Sequence, residues 1–236
     1  MQIGDPIGEG WAIYKRFWRH LVAISFVVAI VVSLIALALA AAGGSFAVLA
    51  SLLVSIVGTF LITAALTEAV ADVRDGRADL TLGETIGRVW PVIGTVVGLS
   101  LVAGIAIAVG FVIFIVPGVY LMTVWSVAVP AAILEKTGVF ESLGRSRALV
   151  RGYGWTVFGV IVVTIAVNLV ASIVLAVLLA GLSTGLGHYI GNILSTTLIT
   201  PFVAATWTCM YFRLREAHEP AAPMPSGAAY VDDLQG

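Results

Sequence analysis

The stretch "WPVIGTVVGLSLVAGIAIAVGFVIFIVPGVYLMTVWSVAVPAAILE", residues 90–135, carries no charged side chain before its last residue. It belongs to the charge-free block between Arg88 and Glu135. Two similar blocks run from Arg19 to Glu68 and from Arg151 to Arg213. The three blocks hold 48, 46 and 61 residues. At 1.5 Å rise per residue, each would make a helix of roughly 70–90 Å, against a hydrocarbon core of about 30 Å. One crossing per block is too few, and three would leave no room for turns. Two crossings per block fit, so six transmembrane helices are expected. A breaker lies near the middle of each block: Gly43-Gly44-Ser45, Pro117-Gly118, and "GLSTGLGH" at 181–188. The spans are placed near 20–42, 46–70, 92–115, 118–135, 154–180 and 189–212, with Pro130 as a kink in the fourth.

Composition agrees with this reading. Sixty per cent of the 236 residues are hydrophobic, 11% are charged, and the mean hydropathy is +1.09. A soluble domain carries roughly 25% charged residues, so lipid is the expected solvent for most of this surface. The net charge of −1 speaks against nucleic acid as a partner, because no strongly basic face exists to displace phosphate counterions. One cysteine, Cys209, excludes an intramolecular disulfide. Arginine outnumbers lysine ten to two, a bias common in high-GC bacteria. The first apolar run is longer than the 7–15 residues of a leader's apolar region, so it is read as a span rather than a cleaved signal.

Orientation follows from the positive-inside rule. With six spans, the amino terminus, the 71–90 and 136–152 connections and the carboxyl tail share one side. All twelve Lys and Arg residues lie there. Both termini are therefore expected in the cytoplasm of a bacterial cell, with the chain in its inner membrane. Trp11, Trp18, Trp90, Trp155 and Tyr211 fall near that interface, and Tyr120 and Tyr189 near the other. The tail 216–236, with its prolines and small residues, reads as a disordered cytosolic end.

A short helical segment precedes each block. In the first, Asp5 and Pro6 suit a helix start, and Ile7, Trp11, Tyr14, Trp18 and Leu21 share one face. In the second, Thr81 and Glu84 make a capping box, and Glu84–Arg88 is an i,i+4 pair. In the third, Glu141–Arg145 repeats that pair. The expectation is an all-α domain over 1–215: three transmembrane hairpins, each preceded by a cytoplasmic-side interfacial helix. The repeat-like units run over about 5–75, 79–136 and 137–215.

The chemistry-bearing signals are few. No metal-ligand spacing, G-x-S-x-G, Walker A or G-x-G-x-x-G motif occurs, so neither an enzyme nor a cofactor is expected. The cationic candidates for binding a lipid headgroup or other anion are Arg145, Arg147, Arg151, Arg88 and Arg19. Arg147 and Arg151 are like charges at i,i+4, which repel unless an anion sits between them. Glu68 and Asp72 are the internal candidates for that anion, and a lipid phosphate is the external one. In the last two spans, Asn168, Asn192, Thr196 and Thr200, with Pro201, are candidates for a polar path. The competing reading is helix–helix hydrogen bonding. Gly94 and Gly98 read as a close-packing pair.

The run 116–163 resembles a bacterial family of membrane proteins named for their likeness to the membrane domain of glycerophosphoryl diester phosphodiesterases. The resemblance rests on P-G-x-Y (117–120), W-S-x-x-x-P (125–130), E-S-L-x-R-S (141–146) and L-V-R-G-x-x-W (149–155). The stretches "GEGWAIYKRFWRHL" and "LTEAVADVRDGRADLTLGETI" look similar to that family too. The resemblance implies a six-helix membrane module that handles or organises lipid. The phosphodiesterase chemistry belongs to a separate soluble domain for which this chain has no room. The function expected is therefore non-enzymatic: lipid binding or organisation, or scaffolding of an envelope partner. The competing expectation is a transporter or permease-like subunit.

Overall fold

The computed structural model describes residues 2–74, 81–178 and 184–219. These residues are predominantly helical, with no strand among them. The helices are α1 (Gly4–Ala41), α2 (Gly44–Val73), α3 (Leu82–Val89), α4 (Ile93–Ile113), α5 (Ile115–Val124), α6 (Ala128–Glu135), α7 (Val139–Val150), α8 (Gly154–Leu178) and α9 (Thr184–His218). Five helical stretches are long and apolar enough to cross a membrane: Gly4–Ala41, Gly44–Val73, Gly83–Ile113, Ile115–Glu135 and Gly154–Leu178. The chain is thus compatible with a multi-pass membrane protein. Large apolar side chains stand exposed along these helices, among them Leu34, Leu49, Val170 and Leu178. Helices satisfy their own backbone groups, so such faces suit lipid and not water.

The first interfacial helix and the first span are one element. No Gly or Pro occurs between Trp11 and Ala42, so nothing ends the helix. It only kinks, at Phe17 (φ −116°, ψ 21°), and stops at Gly43, whose φ of +73° suits glycine. The second connector behaves as expected. Thr81 accepts from the Glu84 N–H, Glu84 accepts from the Thr81 N–H, and a 3-10 turn over Trp90–Val92 leads into α4.

The second block breaks three residues earlier than its Pro-Gly suggests. Phe114 is extended (φ −159°, ψ 149°), and Pro117 lies inside the first turn of α5, where its missing N–H costs nothing. Gly118 serves contact instead. A Cβ on Gly110 would lie 3.0 Å from the Gly118 Cα, and one on Gly118 would lie 2.6 Å from the Phe111 ring. Span four is divided by a turn at Trp125–Val127. Pro130 follows that turn and cannot donate to the Ser126 carbonyl, so the W-S-x-x-x-P run is the bend itself. Gly98 packs against Val139, but a Cβ on Gly94 would meet open space, so only half of that glycine pair packs closely. The expected breaker at 181–188 falls partly outside the described residues, and α9 is helical from Thr184.

The buried residues form three clusters. One joins α2, α4 and α6 around Val96, Leu99 and Ile133. One joins α1, α2 and α9 around Leu21, Leu66 and Ala205. One joins α6, α7, α8 and α9 around Leu149, Val160 and Tyr211. Ion pairs bring four helix ends together. Arg213 meets Glu9 at 2.8 Å and Asp5 at 3.7 Å, and Arg74 meets Glu216 at 2.7 Å and Glu9 at 3.6 Å. Arg145 joins Glu135 to Glu219. The start of α1 and the ends of α2, α6 and α9 therefore lie at one charged end of the bundle.

Candidate anion-binding cleft

α7 is built to lie across the bend in span four. Glu141 reaches back to the Gly138 N–H at 3.5 Å, and the Ser142 hydroxyl donates to the Gly138 carbonyl at 2.7 Å. One turn on, the buried Ser146 hydroxyl donates to the Val124 carbonyl at 2.8 Å, close to where the bend begins. Ser142, Leu143, Ser146, Leu149 and Val150 are buried, so the opposite face, with Gly144, Arg147 and Arg151, looks outward.

Arg145 does not pair with Glu141 as its spacing suggested. Its Nε lies 2.9 Å from both carboxylate oxygens of Glu135, and its Nη2 lies 2.5 Å from Glu219. The buried Tyr211 hydroxyl donates to Glu135 at 2.6 Å. Glu141 is instead engaged at the helix start. The hydrogen bond to Glu135 is the main cause holding the Arg145 guanidinium above its usual range. The bond from Arg145 in turn holds the Glu219 carboxyl below the usual carboxylate range. With its pKa depressed in the folded state, Glu219 keeps this contact at neutral pH and loses it as pH falls through that lowered value.

Arg147 and Arg151 are placed differently. Among the described residues neither forms an ion pair. Both line an open cleft of about 640 Å³ with Tyr120, Val124, Gly144 and Gly152, and no carboxylate is among its described lining residues. Glu68 does not supply their anion. It lies within electrostatic reach of Arg88, Lys136 and Asp72. Of the five cationic candidates, then, Arg145 is paired and Arg88 faces Glu68. Arg19 is exposed on α1, away from the cleft, and Arg147 and Arg151 share one site.

A second cleft, of about 710 Å³, adjoins the first and shares Tyr120, Val124, Gly152 and Gly154 with it. Its other walls include Val116, Val119, Trp155 and Phe158, with Thr123, Tyr153 and Thr156 among them, and are mainly apolar. Tyr120 and Trp155, expected at opposite interfaces, thus line one groove. The cause is the bend: α5 is only ten residues long, roughly 15 Å, and the turn after α7 delivers the start of α8 beside it. The turn passes through Gly152, at φ +89°, where a side chain would be strained. The sequence signal for this was Pro130, which cuts span four short. Tyr120, Gly144, Gly152 and Gly154 were missed as site residues because hydropathy alone carries no tertiary proximity.

None of Asn168, Thr196 and Thr200 lines either of these two clefts. Asn168 is exposed on α8, its Oδ1 accepting from Ser172 at 3.5 Å. Thr196 and Thr200 are half-buried on α9, and the side chain of Asn192 lies outside the described residues. Near Pro201, the Leu198 carbonyl accepts from the Tyr14 hydroxyl at 3.0 Å, which ties α1 to α9 there. Among the described residues no group of three or more His, Cys, Asp or Glu is placed to hold a metal.

No protein-family model matches the sequence, and no curated protein or solved structure matches it either, so the geometry of this paired cleft is the ground on which a function stands.

Proposed function

We propose that this chain is a non-enzymatic, six-span protein of the bacterial cytoplasmic membrane that binds or organises anionic lipid through the α7 cleft. The observation that carries this reading is the pair Arg147 and Arg151, without carboxylate partners among the described residues, in a cleft that adjoins an apolar groove. Two guanidinium groups present planar, charge-assisted donors suited to phosphate oxygens. The adjoining groove offers acyl chains a place to lie. The resemblance of 116–163 to the phosphodiesterase membrane domain points the same way. Of the residues that carry it, Tyr120 of P-G-x-Y and Val150, Arg151, Gly152 and Trp155 of L-V-R-G-x-x-W line the two clefts.

The sixth span is α9, whose 35 residues reach roughly 52 Å. The three hairpins are α1–α2, α4 with α5–α6, and α8–α9, with the charged end of the bundle cytoplasmic. Reporters fused at 44, 117 and 184 should all report the outer side. A cytosolic signal at any of the three would break the six-span order.

Lipid binding is tested by mass analysis of lipids that copurify with the full chain. Wild type should retain anionic phospholipid, and R147A/R151A should retain about tenfold less. Equal retention by both proteins would refute the reading.

A further inference from the structure

The preceding reading leaves the lipid class open, and the cleft narrows it. We infer that the preferred ligand is an intact phosphomonoester lipid, its phosphate held between Arg147 and Arg151 and an acyl chain laid in the groove between α5 and α8. This rests on the lipid-binding reading above.

Charge is the first argument. Among the described residues the cationic cleft is lined by two guanidinium groups and no acidic side chain, so these residues offer two positive charges without a carboxylate between them. A phosphodiester headgroup carries one negative charge. A phosphomonoester carries about 1.5 to 2 at neutral pH and three terminal acceptor oxygens. Only the monoester matches both arginines, each of which can engage two oxygens at once. Arg145 cannot add a third charge, because Glu135 and Glu219 hold it.

Room is the second argument. Gly144, Gly152 and Gly154 line the cationic cleft and place no side chain in it. A Cβ on any of the three would meet nothing within 4 Å, so the space in front of them is open to a headgroup. Gly154 also begins α8, whose first backbone N–H groups point out of the helix end. That end adds to the arginine pair and would carry little without it.

Continuity is the third argument. The apolar groove adjoins the cationic cleft, and Tyr120, Val124, Gly152 and Gly154 line both. A free phosphomonoester would fill only the first compartment. A lipid fills both, with Val116, Val119 and Phe158 along its chain.

The test uses the full chain in lipid nanodiscs, with phosphatidate and phosphatidylglycerol of identical acyl chains as probes and soluble glycerol 3-phosphate as competitor. Wild type should take up phosphatidate about tenfold more than phosphatidylglycerol. R147A/R151A should lose that preference, and R147K/R151K should recover part of it, since lysine keeps the charge and loses the two-oxygen fork. V119W, which fills the groove, should weaken uptake of both lipids without changing their ratio. Both arginines are exposed, so their variants should melt as wild type does.

Equal uptake of the two lipids, lost in R147A/R151A, would overturn the monoester inference and leave the lipid reading standing. Uptake indifferent to the arginines would overturn both. Effective competition by glycerol 3-phosphate, with no effect of V119W, would overturn the lipid part in favour of a soluble phosphomonoester.

Discussion

Gly10→Val should lower the unfolding free energy by about 3 kcal/mol. A Cβ at position 10 would lie 2.8 Å from the Thr206 backbone nitrogen and 2.9 Å from its Cα. Those are backbone atoms of α9, so no rotamer change relieves the clash, and α1 must move away. The loss spreads along the contact. At the next residue, Trp11 stacks on Tyr14 with centroids 5.7 Å apart and meets Phe202 edge-on at 5.7 Å. The Tyr14 hydroxyl donates to the Leu198 carbonyl, next to the gap that Pro201 leaves in α9. Separation of α1 and α9 would break these together. Gly8 is the control on the same helix. Nothing lies within 4 Å of a Cβ there, so Gly8→Ala should be neutral or slightly stabilising. Sodium dodecyl sulfate titration of the purified protein reads both. A Gly10→Val protein as stable as wild type would mean that α1 and α9 are not in this contact.

Glu135→Ala should cost about 2 kcal/mol. One carboxylate satisfies two groups: the Arg145 guanidinium at 2.9 Å and the fully buried Tyr211 hydroxyl at 2.6 Å. Removing it leaves a buried hydroxyl without an acceptor and a cation with Glu219 alone. The pair is about a quarter exposed, so the cost falls below that of a fully buried ion pair. Removing both partners of a buried hydrogen bond costs less than removing one. Tyr211→Phe should therefore offset part of the Glu135→Ala loss, and a double-mutant cycle measures by how much. Strict additivity would contradict the contact. Because Glu135 anchors α7 through Arg145, Glu135→Ala should also weaken lipid retention at Arg147 and Arg151, neither of which it touches.

Much of the helix pattern was legible because its causes are local. Charge-free blocks, the Gly43 turn, the Thr81 capping box and the Pro130 bend each depend on a few neighbouring residues. The fusion of the first connector with the first span was not. Amphipathic periodicity tells which face seeks lipid, but only a breaker ends a helix, and none lies between Trp11 and Ala42. The Phe114 break was hidden because hydropathy is the same on both sides of it.

The site divided in the same way. The i,i+4 repulsion between Arg147 and Arg151 is local, and it singled out the pair that has no carboxylate partner among the described residues. The partners of Arg145 are ten and 74 residues away in sequence, so the nearer Glu141 looked the better match. Tyr120 reached the cleft only through the bend and the return of α7, a tertiary route that spacing does not carry.

The central claim is that anionic lipid sits at the junction of α5, α7 and α8. A photoactivatable anionic phospholipid, crosslinked to the full chain in bacterial membranes and mapped by peptide mass, tests it most directly. The account predicts adducts concentrated in 116–124 and 147–158, and their loss in R147A/R151A. Adducts spread evenly over the exposed faces of α1, α2 and α8, unchanged by the arginine substitutions, would contradict it.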